Sequence, residues 1–513
     1  MRFTDETKYG IGAGAEGGRT TDDAAVVDSQ GACIGDDDIE VLTIEDLFDI
    51  STEHQPALLT DGDRARMDEA AVAAAKFADG HPVYGRTTGV GANRTVAINA
   101  EARRAQDLRL LRSHATGAGP LVSDSDVRMM LLVRISQLRH GGSGLAARVA
   151  DALVDMLADN SLPAIHSFGS IGTGDLSALA ETALTLAGEL PTRSGLTERR
   201  WQPMGGEALP FISSNALTVA RAARAVIVAE NWVHHYAFAT ALSATACRSN
   251  LEPFAAEVHR ARPQHGQQEV AAMVRHALEG ITVPPTRIQD SYGFRAMPQV
   301  LAPMVAEVER LRAVVEIEIN SAPENPLVVP SCSSVLHNGN FHMQALALAA
   351  DSTALALNGA AQLSLARLSN LCDPAVTGLT AFLSDGQTGS SGAMVVEYVA
   401  AAAMSRLRSL AAPASLGTTV ISLGTEDHAS FAPSAVDQLL GALDAAESIL
   451  ACELLSARRA IQLTGIVLPP GAPLSSYLGQ IPGSRDLADR PLSGDIALIE
   501  KFVHSHLPTN MIG

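Results

Sequence analysis

Basic residues are scarce in this chain: 37 Lys and Arg stand against 56 Asp and Glu, a net charge of −19. That balance excludes a protein that works by neutralising nucleic-acid phosphates or by docking on an anionic membrane. Cysteine is sparse too. Cys33, Cys247, Cys332, Cys372 and Cys452 are odd in number and too widely spread for a disulfide framework, a zinc motif or a Cys-x-x-Cys pair. A reducing cytoplasm is the location expected. The opening residues, Met1-Arg2-Phe3-Thr4-Asp5-Glu6, lack the basic, apolar and small-residue regions of an export signal. The most apolar stretch, 345–366, carries Asp351, Asn358 and Gln362. Those polar groups suit a buried core helix rather than a membrane span of about 20 lipid-compatible residues.

Residues 1–38 are rich in Gly, Asp, Thr and Ser and end in Asp36-Asp37-Asp38, the composition of a flexible tail. They include Gly12-Ala13-Gly14-Ala15-Glu16-Gly17, a literal G-x-G-x-x-G. Neither an apolar strand before it nor a helical pattern after it supports a nucleotide site.

What the chain has in abundance is helical periodicity, with Ala, Leu, Val and Arg in long runs. Between Asp126 and His140, the residues Met130, Leu131, Val133, Arg134, Ile135 and Leu138 form an apolar face that Gly141-Gly142 stops. Comparable runs cover 216–247, 300–319, 342–370, 392–410 and 434–462. These lengths predict a bundle of long helices. At 513 residues the chain exceeds one compact core and calls for subdomains, an elongated core or subunit partners. Interruptions rich in Gly and Pro at 84–94, 163–175, 263–268, 320–340 and 384–392 are the loops where such a scaffold carries chemistry.

The loop Tyr84-Gly85-Arg86-Thr87-Thr88-Gly89-Val90-Gly91-Ala92-Asn93 places a tyrosine at the mouth of a mobile, glycine-rich path. Its phenol can act as a base only if neighbours lower its pKa from about 10. Otherwise the loop is a turn with a packed tyrosine. The run Arg287 to Val300 brings Gln289, Tyr292 and Arg295 together just before a long helix. Arg295 offers a planar fork suited to a carboxylate, and the plain alternative is a helix cap with surface charge. Glu426-Asp427-His428 lacks a second ligand cluster of matching spacing, so no metal is expected.

In their order and spacing these segments resemble the histidine and phenylalanine ammonia-lyase family, from about Ile44 to near the C-terminus. The family's Tyr-Gly-x-x-Thr-Gly-x-Gly stands here as Tyr84 to Gly91, and its Ser-His as Ser113-His114. Gln289 to Arg295 matches Gln-Asp-x-Tyr-x-x-Arg, and Asn320 with Glu324-Asn325-Pro326-Leu327 matches Asn-x-x-x-(Asp/Glu)-Asn-Pro-Leu. Gly339-Asn340-Phe341-His342, Glu426-Asp427-His428 and Asp489-Arg490 follow in order.

The resemblance implies an all-α fold of long, nearly parallel helices of the aromatic ammonia-lyase and fumarase-like type, with a loop-rich N-terminal part. It implies a homotetramer whose active sites combine loops of more than one subunit, acting on a small molecule. The expected divisions are the tail 1–38, an N-terminal segment 39–215, a central bundle 216–475 and a C-terminal helical segment 476–513. The residue roles implied are Tyr84, Tyr292 and Glu426 in catalysis and His114, Gln289, Arg295, Asn325, Ser213 and Asn215 at the substrate. His114 and Glu426 match the histidine-specific branch, although a histidine at 114 is also compatible with a merely hydrogen-bonded core residue.

One segment departs from the family. The family cyclises an internal Ala-Ser-Gly to methylidene-imidazolone, whereas here Gly169-Ser170-Ile171 leads through Gly172-Thr173-Gly174 to Asp175-Leu176, one residue short and without the serine. The supporting Asn-Gly-(Thr/Ser) is altered to Ser213-Ser214-Asn215. The expectation is therefore no cofactor, with Thr173 or Asp175 serving to cap the helix Leu176 to Leu186. Ammonia is a poor leaving group that needs the electrophile, and a quaternary ammonium does not. The chain is accordingly expected to be most like the family's cofactor-free ergothionase branch. It would release trimethylamine from a histidine betaine, ergothioneine to thiolurocanate or hercynine to urocanate. The alternatives are a histidine ammonia-lyase with an atypical cofactor made from Gly-Thr-Gly, and an inactive scaffold of the same fold.

Overall fold

The computed structural model describes residues 39–53 and 59–508. The expected tail, with its Gly12 to Gly17 motif, lies outside them. Besides Asp61–Gly80, a 20-residue helix that none of the predicted runs covers, six long helices dominate: Asp124–Arg139, Ala216–Ala246, Met297–Ile319, Gln344–Cys372, Met394–Leu410 and Ala432–Thr464. Each lies within a few residues of an apolar run read from the sequence, because burial of a continuous apolar surface outweighs the modest propensities of Val, Thr and Ile. The longest has 33 residues, a rod of about 50 Å at 1.5 Å per residue. It packs most extensively on Gln344–Cys372, and Ala216–Ala246 and Met394–Leu410 complete the central bundle. One apolar core runs from Ile44 to Leu507.

An ion pair pins the bundle at its centre. Arg367 and Glu453 are both fully buried and meet through Nε to Oε1 at 2.7 Å and Nη2 to Oε2 at 2.8 Å. Ser243 and Ser364 donate to the same carboxylate at 2.7 and 2.6 Å. Arg367 also lies 4.4 Å from the centroid of the Tyr236 ring. Three long helices thus meet at one saturated polar node, the condition under which a buried charge pair is tolerated.

The N-terminal part is shorter-stepped. Thr60 and Asp63 close a capping box on Asp61–Gly80, and Ser123 caps Asp124–Arg139. Among the described residues there are two two-stranded antiparallel ribbons, Ala118–Leu121 with His166–Phe168 and Leu327–Val329 with Ser334–Leu336. They brace the loops at 163–175 and 320–340.

Sequence and structure differ at two points. Asp175 does not cap the helix that follows it: no side chain caps Leu176–Leu186. Its carboxylate instead accepts from the Thr218 amide at 2.8 Å and the Thr218 hydroxyl at 2.9 Å, at the start of Ala216–Ala246. The stretch 345–366 lies in the core helix Gln344–Cys372, as expected; among the described residues the segment long and apolar enough to cross a membrane is 208–246, most of which is buried within the protein. Cys247, Cys372 and Cys452 are buried free thiols, whereas Cys332 is disulfide-bonded, against the all-thiol expectation.

Candidate active site

A cavity of about 910 Å³ opens where five loops converge, and its walls carry Tyr84, His114, Thr173, Ser213, Asn325 and Glu426. Six of the residues singled out from the sequence thus share one space, although they are separated by hundreds of positions.

The Tyr84 loop is held at its base. The amides of Arg86, Thr87 and Thr88 all turn back on the Val83 carbonyl, and the buried Arg86 guanidinium donates to the carbonyls of Ser143 and Gly144 at 3.2 and 2.8 Å. Gly85, at φ +72°, faces Leu209 so closely that any Cβ would collide with it. At the far side of the loop the Gly91 amide donates to the Tyr84 hydroxyl at 2.7 Å. Burial raises the pKa of this phenol and the charge of Glu426 adds to the rise. The Gly91 amide and the Arg94 cation act in the opposite sense. The net direction is upward, against the lowered pKa that a base requires; Gly91 and Arg94 are the two groups that favour the phenolate, and burial with Glu426 outweighs them.

Across the cavity, Glu426 accepts from Ser422 Oγ at 2.8 Å. His114 Nδ1 lies 2.8 Å from the Leu110 carbonyl, an acceptor only. That contact places the Nδ1 proton and leaves Nε2 as the nitrogen free of it. His342 Nε2 and His428 Nδ1 are 2.9 Å apart. Burial, followed by the neighbouring His428, lowers the pKa of His342. His337 Nε2 accepts from the Tyr84 amide at 3.2 Å. His337, His342 and His428 were not singled out from the sequence as site residues, although two of them stand in the family-like motifs. Among the described residues no group of three or more His, Cys, Asp and Glu is placed to hold a metal ion.

The floor is the Gly172-Thr173-Gly174 loop. The Gly172 carbonyl accepts from Ser430 Oγ and from the Met343 amide, each at 3.2 Å. The Gly174 amide donates to Asn215 Oδ1 at 3.0 Å, and Asn215 Nδ2 donates to the Phe341 carbonyl at 2.6 Å. Asn215 therefore supports the loop from behind rather than lining the cavity. Gly172 stands at φ +86°, and a Cβ there would collide with Ser430 Oγ. A side chain at that position would require Ser430 to move.

Asn325 is fixed by a deeper network. Its amide donates to Ser213 Oγ at 3.1 Å, and its Oδ1 accepts from the Asn338 amide at 2.9 Å. Its neighbour Glu324 is fully buried against Arg134 at 2.8 Å, and Arg134 also donates to the carbonyls of Pro210 and Phe211 at 2.6 and 3.1 Å. One arginine of the Asp124–Arg139 helix thus holds two walls of the site together.

The protomer does not bring Gln289, Tyr292 and Arg295 to this cavity. They form their own group, with Arg295 Nη1 donating to Gln289 Oε1 at 3.2 Å and its guanidinium 4.5 Å from the Tyr292 ring centroid. Tyr292 is 67% exposed. Arg367, from the central polar node, anchors this turn by donating to the Gly293 carbonyl at 3.1 Å.

A family model described as aromatic amino acid lyase matches residues 42–481. The histidine ammonia-lyase of Burkholderia cenocepacia is 32% identical over 483 residues, 90% of this chain and 95% of its own length. Among solved structures, ergothionase from Treponema denticola, in complex with desmethyl-ergothioneine sulfonic acid, superposes with a TM-score of 0.83 at 25% identity, covering 90% of this chain and 97% of that one. Histidine ammonia-lyase from Trypanosoma cruzi gives 0.81 at 27% identity, covering 90% and 91%. The helical fold expected from the sequence is shared by both. The expected substrate is not supported. The relatives at 32% identity across most of the chain are histidine ammonia-lyases, and the ergothionase likeness is weaker in sequence, which overturns the trimethylamine reading.

Proposed function

The chain belongs to the aromatic amino acid lyase family and is a carbon–nitrogen lyase, and from that premise we propose that it eliminates ammonia from histidine to give urocanate. The observation that carries this reading is the 32% identity to histidine ammonia-lyases over 90% of the chain. The cavity supports it, because His114 and Glu426 both stand on its wall and offer an imidazole ring one nitrogen and one carboxylate as hydrogen-bonding partners.

In this reading Tyr84 removes the β-proton, although the protomer alone raises the pKa of its phenol, so the lowering that a base needs has to come with the bound substrate or the second copy of the chain. A phenolate is the form that does so, and the Gly91 amide, already on the hydroxyl oxygen at 2.7 Å, stabilises it. Asn325 and Ser213 line the same cavity as the tyrosine and Thr173.

Departure of ammonia calls for an electrophile at the amine, and the floor loop fits one. The Gly172 carbonyl is polarised by two donors, the Gly174 amide that would attack it is held by Asn215, and Thr173 faces the cavity. Residues 172–174 would hold a threonine-derived imidazolone, whose chemistry is to retain the amine as the Cα-side product leaves. The methyl group of Thr173 would crowd the carbon that takes the amine. The cofactor-free expectation is the opposing outcome of a mass measurement.

The carboxylate partner is Arg295, supplied by a second copy of the chain. Its distance from the cavity within one protomer and the exposure of Tyr292 support a shared site in a homotetramer. So do exposed apolar groups on the bundle: Ile317, Leu355, Val395 and Tyr398 are 65%, 51%, 60% and 69% exposed.

The test is a panel of histidine, phenylalanine, tyrosine and trimethylated histidine, with ammonia and trimethylamine both measured. Ammonia from histidine alone is expected. Trimethylamine from the betaine with no ammonia from histidine overturns the reading.

A further inference from the structure

The Tyr84 loop carries a cation that no motif accounts for. Arg94 lies at its end, just past the turn Gly91–Asn93, and lines the same cavity as Tyr84 and Glu426. Its Nη1 donates to Thr425 Oγ1 at 2.8 Å and lies 3.5 Å from the Gly91 carbonyl. Thr425 adjoins Glu426, and the Ile421 amide and Glu426 carbonyl close that turn at 2.8 Å. A single side chain therefore joins the loop bearing the phenol to the loop bearing the carboxylate, across 331 positions of sequence.

We propose that Arg94 is a positioning residue for the elimination: it fastens the Tyr84 loop to the 421–426 turn and sets a fixed cation on the cavity wall beside the phenol. The inference rests on the reading of Tyr84 as the base. Three observations support it. The Gly91 amide that binds the Tyr84 oxygen belongs to the same turn whose carbonyl Arg94 approaches, so displacement of Arg94 loosens the oxygen's hydrogen-bond donor. Arg94 is the one arginine on this cavity among the described residues, since Arg295 lies elsewhere. Its charge also offsets Glu426, the carboxylate that opposes ionisation of the phenol.

The charged and titratable groups that face Tyr84 are few enough to separate. On its own loop there is Arg94, and from the 421–428 segment come Glu426, Asp427 and His428. His337 and His342 approach from the segment before Gln344–Cys372, and His114 from the end of Ala100–His114. Only Arg94 is a permanent cation, so only its loss removes positive charge at every pH.

The experiment compares Arg94→Gln, Arg94→Lys and Thr425→Val with wild type, reading the pH profile of kcat/KM on histidine. Alongside it, the Tyr84 phenol is titrated by ultraviolet difference spectra against Tyr84→Phe. Arg94→Gln should lose roughly fivefold to tenfold at neutral pH, the scale of one partly exposed charge contact. Its ascending limb and its phenol titration should both move to higher pH. Arg94→Lys should keep the limb near its wild-type position. Thr425→Val should lower kcat and leave the limb in place. Equal losses in all three variants with an unmoved limb, or an Arg94→Gln enzyme indistinguishable from wild type, overturns the proposal. A wild-type enzyme that releases no ammonia from histidine overturns the functional reading instead, and the phenol titration still reports on Arg94.

Discussion

The side-chain oxygen of Asn215 accepts the Gly174 amide at 3.0 Å while its nitrogen holds the Phe341 carbonyl at 2.6 Å. In the proposed reading, that bridge holds the amide whose nitrogen would close the ring on Gly172. Intact-mass and peptide mass measurements should therefore find the 172–174 segment lighter by two waters. Thr173→Ala should restore the encoded mass pattern at that residue and reduce kcat on histidine by at least about 100-fold, the scale of losing one preorganised electrostatic partner. Ammonia release by a chain of full encoded mass would instead support elimination without the group.

Tyr84→Phe should lower kcat by about 10²- to 10⁴-fold, the usual contribution of a positioned base, with little change in KM. Circular dichroism should be unchanged, since the hydroxyl's partner is one amide at the cavity edge. Steady-state kinetics at saturating histidine check this.

The Arg367–Glu453 node should dominate the stability of the central bundle. Removing one partner, as in Glu453→Gln, leaves a fully buried guanidinium short of its counter-charge and should cost about 3–5 kcal/mol. Denaturant unfolding of the variant is the check. The same change should disturb the Tyr292 turn, because Arg367 also holds the Gly293 carbonyl.

Glu318 gives a pH dependence with a definite sign. Burial raises its carboxyl from 4.5 to about 7. Between those values the unfolded chain releases a proton that the folded chain keeps, so this group's contribution to stability is full below pH 4.5 and is lost as pH rises to about 7. Glu318→Gln should remove that fall, leaving the variant more stable than wild type above pH 7. Thermal unfolding across this range tests it.

Leu355→Glu, on the exposed face of Gln344–Cys372, should weaken assembly and with it activity, while the isolated protomer stays helical. Light scattering together with the histidine assay separates the two effects. An unchanged assembly size with full activity would count against a shared site.

Most of the frame was legible because six of its long helices bury a broad apolar surface whose periodicity survives in the residue order, whereas Asp61–Gly80, which buries only Asp63, Met67, Ala70 and Ala74, left no such run. The site was read in part. Tyr84, His114, Asn325 and Glu426 could be named from motif order, and they do converge. The convergence of His337, His342 and His428 was not legible, since it depends on how the segments leading into Gln344–Cys372 and Ala432–Thr464 meet in space. Asp175 shows the same limit. Its position before a helix reads as a local cap, yet its partner Thr218 is 43 residues away, and a long-range bond of that kind leaves no periodic trace. Arg94 lies just beyond the recognisable loop, and nothing in its neighbours marks it as the link to Thr425.

The most direct test follows ammonia and the ultraviolet absorbance of urocanate in one reaction of the purified enzyme with histidine. Ammonia elimination from histidine requires the two to rise together in equal amounts, and to vanish together in Tyr84→Phe. Absence of both products at enzyme concentrations sufficient for many turnovers would contradict it.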